Sequence, residues 1–189
     1  FTVAGGDPQA FVDVLVRSIH GLSTNHTLMA SLNQNLALLA EASPGPFLEA
    51  LERQLEGDSP SIRHIFDEHP GMLTPVTYHC GLLWALEVIA WDAFYFQRAV
   101  LCLAKLAAID PGGKLSNRPI NSLRAIFLSW VPSTSVGTKR RLAVLQSTVK
   151  AVPSIAWPLL TSLLPRSGDT SSPTEKPKFR EYEQDNAET

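Results

Sequence analysis

Pro111-Gly112-Gly113-Lys114-Leu115-Ser116 is the first run whose residue types suggest chemistry, because glycines beside a lysine can wrap a phosphate. A Walker A loop needs glycine five positions before its Gly-Lys pair, where Ala108 stands. It needs Ser or Thr right after the lysine, where Leu115 stands, and a strand before it, where the pattern is helical. The run is read instead as a helix stop with glycine in the left-handed conformation. His20, His26, His64, His69 and His79 are the histidines, with Cys80 and Cys102. No Cys-x-x-Cys and no His-Glu-x-x-His occurs, so no metal site is assigned. His79 and Cys80 are adjacent, and adjacent residues of a helix point about 100° apart, which argues against a Cys–His dyad. No catalytic residue and no cofactor is assigned.

Two polar features stand out. Glu87 lies inside an apolar run, where a buried charge needs a partner; Arg124, Arg98 or a helix N-terminus would serve. Glu41, Glu49, Glu52 and Glu56 read as ordinary solvent-facing acids. The segment from Lys114 to Arg124 is unusually polar. Asn117 is a candidate N-cap, Asn121 and Arg124 share a face three residues apart, and Lys114 and Arg118 sit in the approach. Such a cluster suits an anion, a peptide carboxylate or a backbone phosphate, or a network holding loop and tail. The candidate binding surface is therefore Arg118, Asn121 and Arg124, edged by Lys176, Lys178 and Arg180 of the tail. Lys139-Arg140-Arg141 reads as a solvated face with an acidic partner nearby.

Helices must position these residues. Apolar spacing predicts nine, over residues 7–20, 27–42, 43–55, 59–66, 77–91, 92–109, 119–130, 138–149 and 153–164. Phe11, Val14, Leu15 and Ile19 form the expected inward stripe of the first, and Asp7-Pro8 its start. Residues 77–91 are apolar almost all round, so this helix is central and Trp84 is expected in the core. Asp92 is the expected cap of the next helix, and Trp130 is expected to point inward. Residues 69–75 and 132–137 read as loops. A weak repeat, Ser43-Pro44-x-x-Phe47 against Asp7-Pro8-x-x-Phe11 and Asp92-Ala93-x-x-Phe96, suggests stacked helix pairs. The predicted fold is all-α: an irregular HEAT- or TPR-like helical-hairpin solenoid, with an orthogonal bundle as the alternative.

The 189 residues carry 16 Lys+Arg and 18 Asp+Glu, a net charge of −2, with 44% hydrophobic residues. That balance offers no bulk attraction for nucleic acid or an anionic membrane. Two cysteines are too few for a disulfide framework, and no apolar run is long enough for a membrane span. Composition thus predicts a soluble, Leu-rich domain over residues 1–165 and a polar, Pro/Ser-rich tail or strap over 166–189. The tail reads either as a solvated linker or as an extended strap packed by Phe179 and Tyr182. Phe1 in place of Met, with no basic and apolar leader after it, points to a fragment of a longer polypeptide.

Three segments carry a resemblance: Leu83-Trp84-Ala85-Leu86-Glu87; Asp110-Pro111-Gly112-Gly113-Lys114-Leu115-Ser116-Asn117-Arg118-Pro119-x-x-Ser122-Leu123-Arg124; and Ser171-Ser172-Pro173-Thr174-x-x-Pro177-x-x-Arg180. Together they resemble a helical segment, covering residues 44–182 here, of large uncharacterised bacterial proteins. Some of those are similar to multidomain ATPases of the STAND type, whose helical repeats sense a partner. The resemblance implies a non-catalytic helical module in a cytoplasmic bacterial protein, with any ATPase elsewhere in the parent chain. It also implies that the tail is part of the unit, and it transfers no functional residue. The expected function is protein interaction or scaffolding, with a protein partner or a neighbouring domain of the same polypeptide. The second reading is nucleic-acid binding through the local basic rim; the third is a hydrolase with a dispersed site combining Glu87, His79 and an arginine.

Overall fold

Side-chain caps and prolines start several helices where the sequence places them. The computed structural model describes residues 6–69, 76–165, 168–171 and 173–182. The N-terminal run 1–5, residues 70–75 of the expected loop, and 166–167, 172 and 183–189 of the tail lie outside the described residues. Helix α1 spans Pro8–Arg17, with the Asp7 carboxylate accepting the Gln9 N–H at 3.0 Å and Pro8 in the first turn. Helix α2, His26–Ser31, is capped in the same way by Asn25. The remaining α-helices are α3 Leu36–Ala42, α4 Pro44–Gln54, α5 His79–Ile89, α6 Phe96–Ile109, α7 Pro119–Phe127, α8 Thr138–Ala151 and α9 Ala156–Ser162. Short 3-10 helices occupy Asn33–Asn35, Ser61–Phe66 and Pro153–Ile155. Among the described residues there is no strand, only an isolated antiparallel bridge between His69 and Val76. No helix among them is long and apolar enough to cross a membrane.

The main helix contacts follow chain order. One layer runs α3, α5, α7, α9, each helix packed on the next; the other runs α1, α4, α6, α8. Contacts of α3 with α4, α5 with α6 and α6 with α7 join the layers. The all-α character of the described residues matches the sequence reading, and two joined helix layers are consistent with either the solenoid or the bundle. Burying a Leu or Phe side chain contributes roughly 1.5–3 kcal/mol, so each hairpin gains only when a neighbour covers its second apolar face. Helix α5 is buried except at Cys80 and Trp84, and its Leu82 and Leu86 share the core with Phe47, Phe96 and Leu103.

Several expectations need correction. The predicted helix over 27–42 breaks at Asn33–Asn35, because tertiary contact recruits that turn: the Asn33 side chain accepts the Gly81 N–H at 2.7 Å. Gly81 permits the approach, since a Cβ there would lie 2.0 Å from the Asn33 carbonyl oxygen. The stripe expected inward on α1 faces out: Phe11, Val14 and Leu15 are exposed, while Val16 is buried and Val12 and Ile19 pack on the core. Trp130 is exposed and Trp84 only half-buried. Helix α6 starts at Phe96, after an Asp92 turn in which the carboxylate accepts the Phe94 N–H. The glycine run forms a turn, with Gly112 at φ +79° donating its N–H to Asp110.

Candidate functional site

Glu41 and Glu87 occupy the last turns of α3 and α5, neighbours in the same layer, and both are buried at 4% exposure. A carboxylate at a helix C-terminus opposes the macrodipole, and burial denies it water, so each needs donors from elsewhere. Most of the donors come from the tail, and one from α7. Glu41 accepts three successive main-chain N–H groups: those of Lys178 at 3.0 Å, Phe179 at 2.5 Å and Arg180 at 2.8 Å. Glu87 accepts the Glu175 N–H at 2.8 Å and the Ser122 hydroxyl at 2.5 Å. Burial pushes the Glu87 carboxyl above the usual carboxylate range, while these two hydrogen bonds pull it back.

The described residues of the tail form a strap running back along the helices. From Asp169 and Thr170 beside α7 it passes Glu87 of α5 and Glu41 of α3 and reaches Gln9 of α1, with a bend at Lys178 and Phe179 that turns three successive N–H groups onto one carboxylate. At the α7 end, Arg124 donates to Asp169 at 2.6 Å and to the carbonyls of Ser162 and Thr170. At the α1 end, Arg180 donates to the Gln9 amide oxygen at 2.6 Å and to the Ala42 carbonyl. Between them, the Lys176 ammonium sits 5.2 Å from the Trp91 ring centroid. Tyr182 is half-buried, and burial raises its phenol above the ordinary value.

The six residues of the expected surface do not form one open face. Arg118 is buried, with its guanidinium on Asp110 at 2.9 Å and on the Leu115 carbonyl, closing the loop before α7. Asn121 is exposed and donates to the Ser116 carbonyl. Arg124, Lys176 and Arg180 contact the body as above, and Lys178 is exposed, 3.6 Å from Glu175. Asn117 is not the cap of α7; its carbonyl accepts instead from His79. Arg98 pairs with Glu52 and Arg124 with Asp169, so neither of the arginines expected at Glu87 is its partner. Arg141 is buried and donates to the Leu128 carbonyl, so only Lys139 and Arg140 of that basic run are exposed. Phe179, expected to pack, is 82% exposed.

Glu41 was the residue sequence reasoning missed. The signal was available: like Glu87, it stands alone in an apolar run, Leu36-Ala37-Leu38-Leu39-Ala40-Glu41-Ala42. A cleft of about 280 Å³ lies between α5, α7 and the strap, lined by Glu87, Asn121, Ser122, Arg124 and strap residues. His79 does not line it. Among the described residues, no cluster of three His, Cys, Asp or Glu is placed to hold a metal ion. Cys102 is a buried core thiol, pushed up to about 12 by burial.

His79 makes a testable contribution to stability. Its Nε2 lies 2.8 Å from the Asn117 carbonyl, so Nε2 carries the proton, and the buried Nδ1 has no partner among the described residues. Burial lowers its pKa from 6.5, with Arg118 nearby adding to the shift and Asp110 and Glu68 opposing it. The unfolded chain therefore takes up a proton near pH 6.5 that the folded chain refuses. Stability falls as pH drops below that value toward the depressed folded pKa. Urea midpoints at pH 7.5 and 5.5 should show a larger acid loss in the wild type than in His79→Gln; equal losses would remove His79 from the account.

No protein-family model matches the chain, and no curated protein or solved structure is similar to it at a significant level.

Proposed function

We propose that the domain is a non-catalytic protein-interaction module within a larger, cytoplasmic bacterial protein, and that its α3–α5–α7 face grips polypeptide by its main chain. The observation that carries this reading is the pair of buried carboxylates that hold a non-helical segment by its main-chain N–H groups. Glu41 and Glu87 have no other architectural need to be charged, since an apolar residue at either place would avoid the desolvation penalty. The two ends of the stack add support. Phe11, Val14 and Leu15 on α1 and Trp157 and Leu160 on α9 are exposed. Terminal repeats that face water carry a polar outer surface; these suit a neighbouring domain of the same polypeptide.

Nucleic-acid binding fits less well, because Arg118, Arg124 and Arg180 already donate to protein oxygens. Retention on heparin at about 0.15 M salt should be negligible, and strong salt-sensitive retention would favour that reading instead.

The test of main-chain recognition compares two variants. Arg180→Ala removes the Gln9 and Ala42 contacts but leaves the three N–H groups on Glu41. The strap should stay protected from trypsin at Lys178 in this variant and lose protection in Glu41→Ala. Equal loss in both would mean that the arginine side chain, not the main chain, is what the face holds.

A further inference from the structure

The seat beneath the strap has the properties of a ligand site that already holds an occupant. Its grip falls on N–H groups of Glu175, Lys178, Phe179 and Arg180; the last three converge on Glu41 because the main chain bends at Lys178 and Phe179, a turn open to many sequences. Selectivity comes at two positions, four residues apart, where a cation meets the Trp91 ring and the Gln9 and Ala42 oxygens. Two buried carboxylates below make the seat complementary to a basic segment.

The strap fills this seat incompletely. Phe179 points into solvent, while Tyr182 is only half-buried. A cleft of about 280 Å³ remains beside Glu87, walled in part by the strap's Thr170, Ser171, Pro173, Thr174 and Glu175. A segment held mainly by polar contacts of modest net strength, roughly 0.5–1.5 kcal/mol each, keeps its place chiefly through its tether.

Resting on the function proposed above, we propose that this seat is a recognition site for a basic segment of a partner polypeptide that bends as the strap does at Lys178 and Phe179, with the strap as a resident occupant that the partner displaces. The partner segment carries three consecutive unsubstituted main-chain N–H groups and a Lys or Arg at each of the two selective positions. The strap then sets a threshold that the partner must exceed before the face is open to it.

The experiment uses the full chain, isotopically labelled, titrated with an unlabelled synthetic peptide of the sequence of residues 168–182. A second peptide is N-methylated at the positions of Lys178, Phe179 and Arg180. The first peptide should release the labelled strap, with at least a tenfold loss of amide-exchange protection at Lys178–Arg180 by about 10 mM, above the roughly millimolar effective concentration of a short tether. The N-methylated peptide should not. A strap that is protected and stays protected at that concentration overturns the proposal while leaving the main-chain grip intact. A strap unprotected without any peptide defeats the grip itself. Release that tracks protein rather than peptide concentration would make a second copy the occupant, and would also overturn the proposal.

Discussion

Glu41→Ala should detach the strap and lower stability by about 2–4 kcal/mol. Hydrogen bonds to a charged group are worth about 1.5–3 kcal/mol each, and Glu41 accepts three from consecutive residues. The sum is not the expected cost, because the freed N–H groups lift into water with the strap. The ceiling is the free energy of strap docking, to which Glu87, Arg124 and Trp91 also contribute. Glu41→Gln keeps the shape but points an amide donor at donors, so it should behave like the alanine variant to a lesser degree. Trypsin cleavage after Lys178, followed with time, reads release directly, and urea unfolding reads the energy. Cleavage no faster than in the wild type would mean that other contacts hold the strap.

Phe96→Ala should cost about 3–5 kcal/mol, the range for removing a fully buried aromatic ring. Phe96 is completely buried at the start of α6 and meets Phe127 edge to face, with ring centroids 6.1 Å apart. Helix α6 contacts α4, α5, α7 and α8, so the cavity would open where the two layers join and could not be closed by moving one hairpin. Trp157→Ala is the control. That ring is 78% exposed, and its loss should change stability by no more than about 0.5 kcal/mol. A loss under 1 kcal/mol at Phe96 would mean that the layers do not meet there.

Much of the scaffold was legible in the sequence because helical spacing and cap chemistry are local. Asp7-Pro8 marked the start of α1, and the all-apolar α5 was placed at the centre. What failed needed three-dimensional information. Helix α1 carries apolar residues on both sides, and only its packing against α3 and α4 decides that Val12 and Val16 turn inward while Phe11 and Val14 turn out. The break at Asn33–Asn35 depends on Gly81, far along the chain, approaching that backbone. Glu87 was singled out correctly as a buried acid, but its partners are a hydroxyl and a strap N–H rather than an arginine. The cations of the candidate surface were visible as charges; their engagement with Asp110, Asp169 and carbonyl oxygens was not, since those partners are set by where the strap and loops lie. In the tail, composition could suggest an extended segment, yet the expected anchor Phe179 is exposed because recognition falls on its N–H.

The central claim is that buried carboxylates of the helical body hold a non-helical strap by its main-chain donors. Native-state hydrogen exchange of the full chain at neutral pH tests it most directly. The amides of Glu175, Lys178, Phe179 and Arg180 should exchange at least about tenfold more slowly than expected for open chain, with Lys176, whose N–H is not among those held by Glu41 or Glu87, less protected. Exchange of all four at open-chain rates, with the helices still protected, would contradict it.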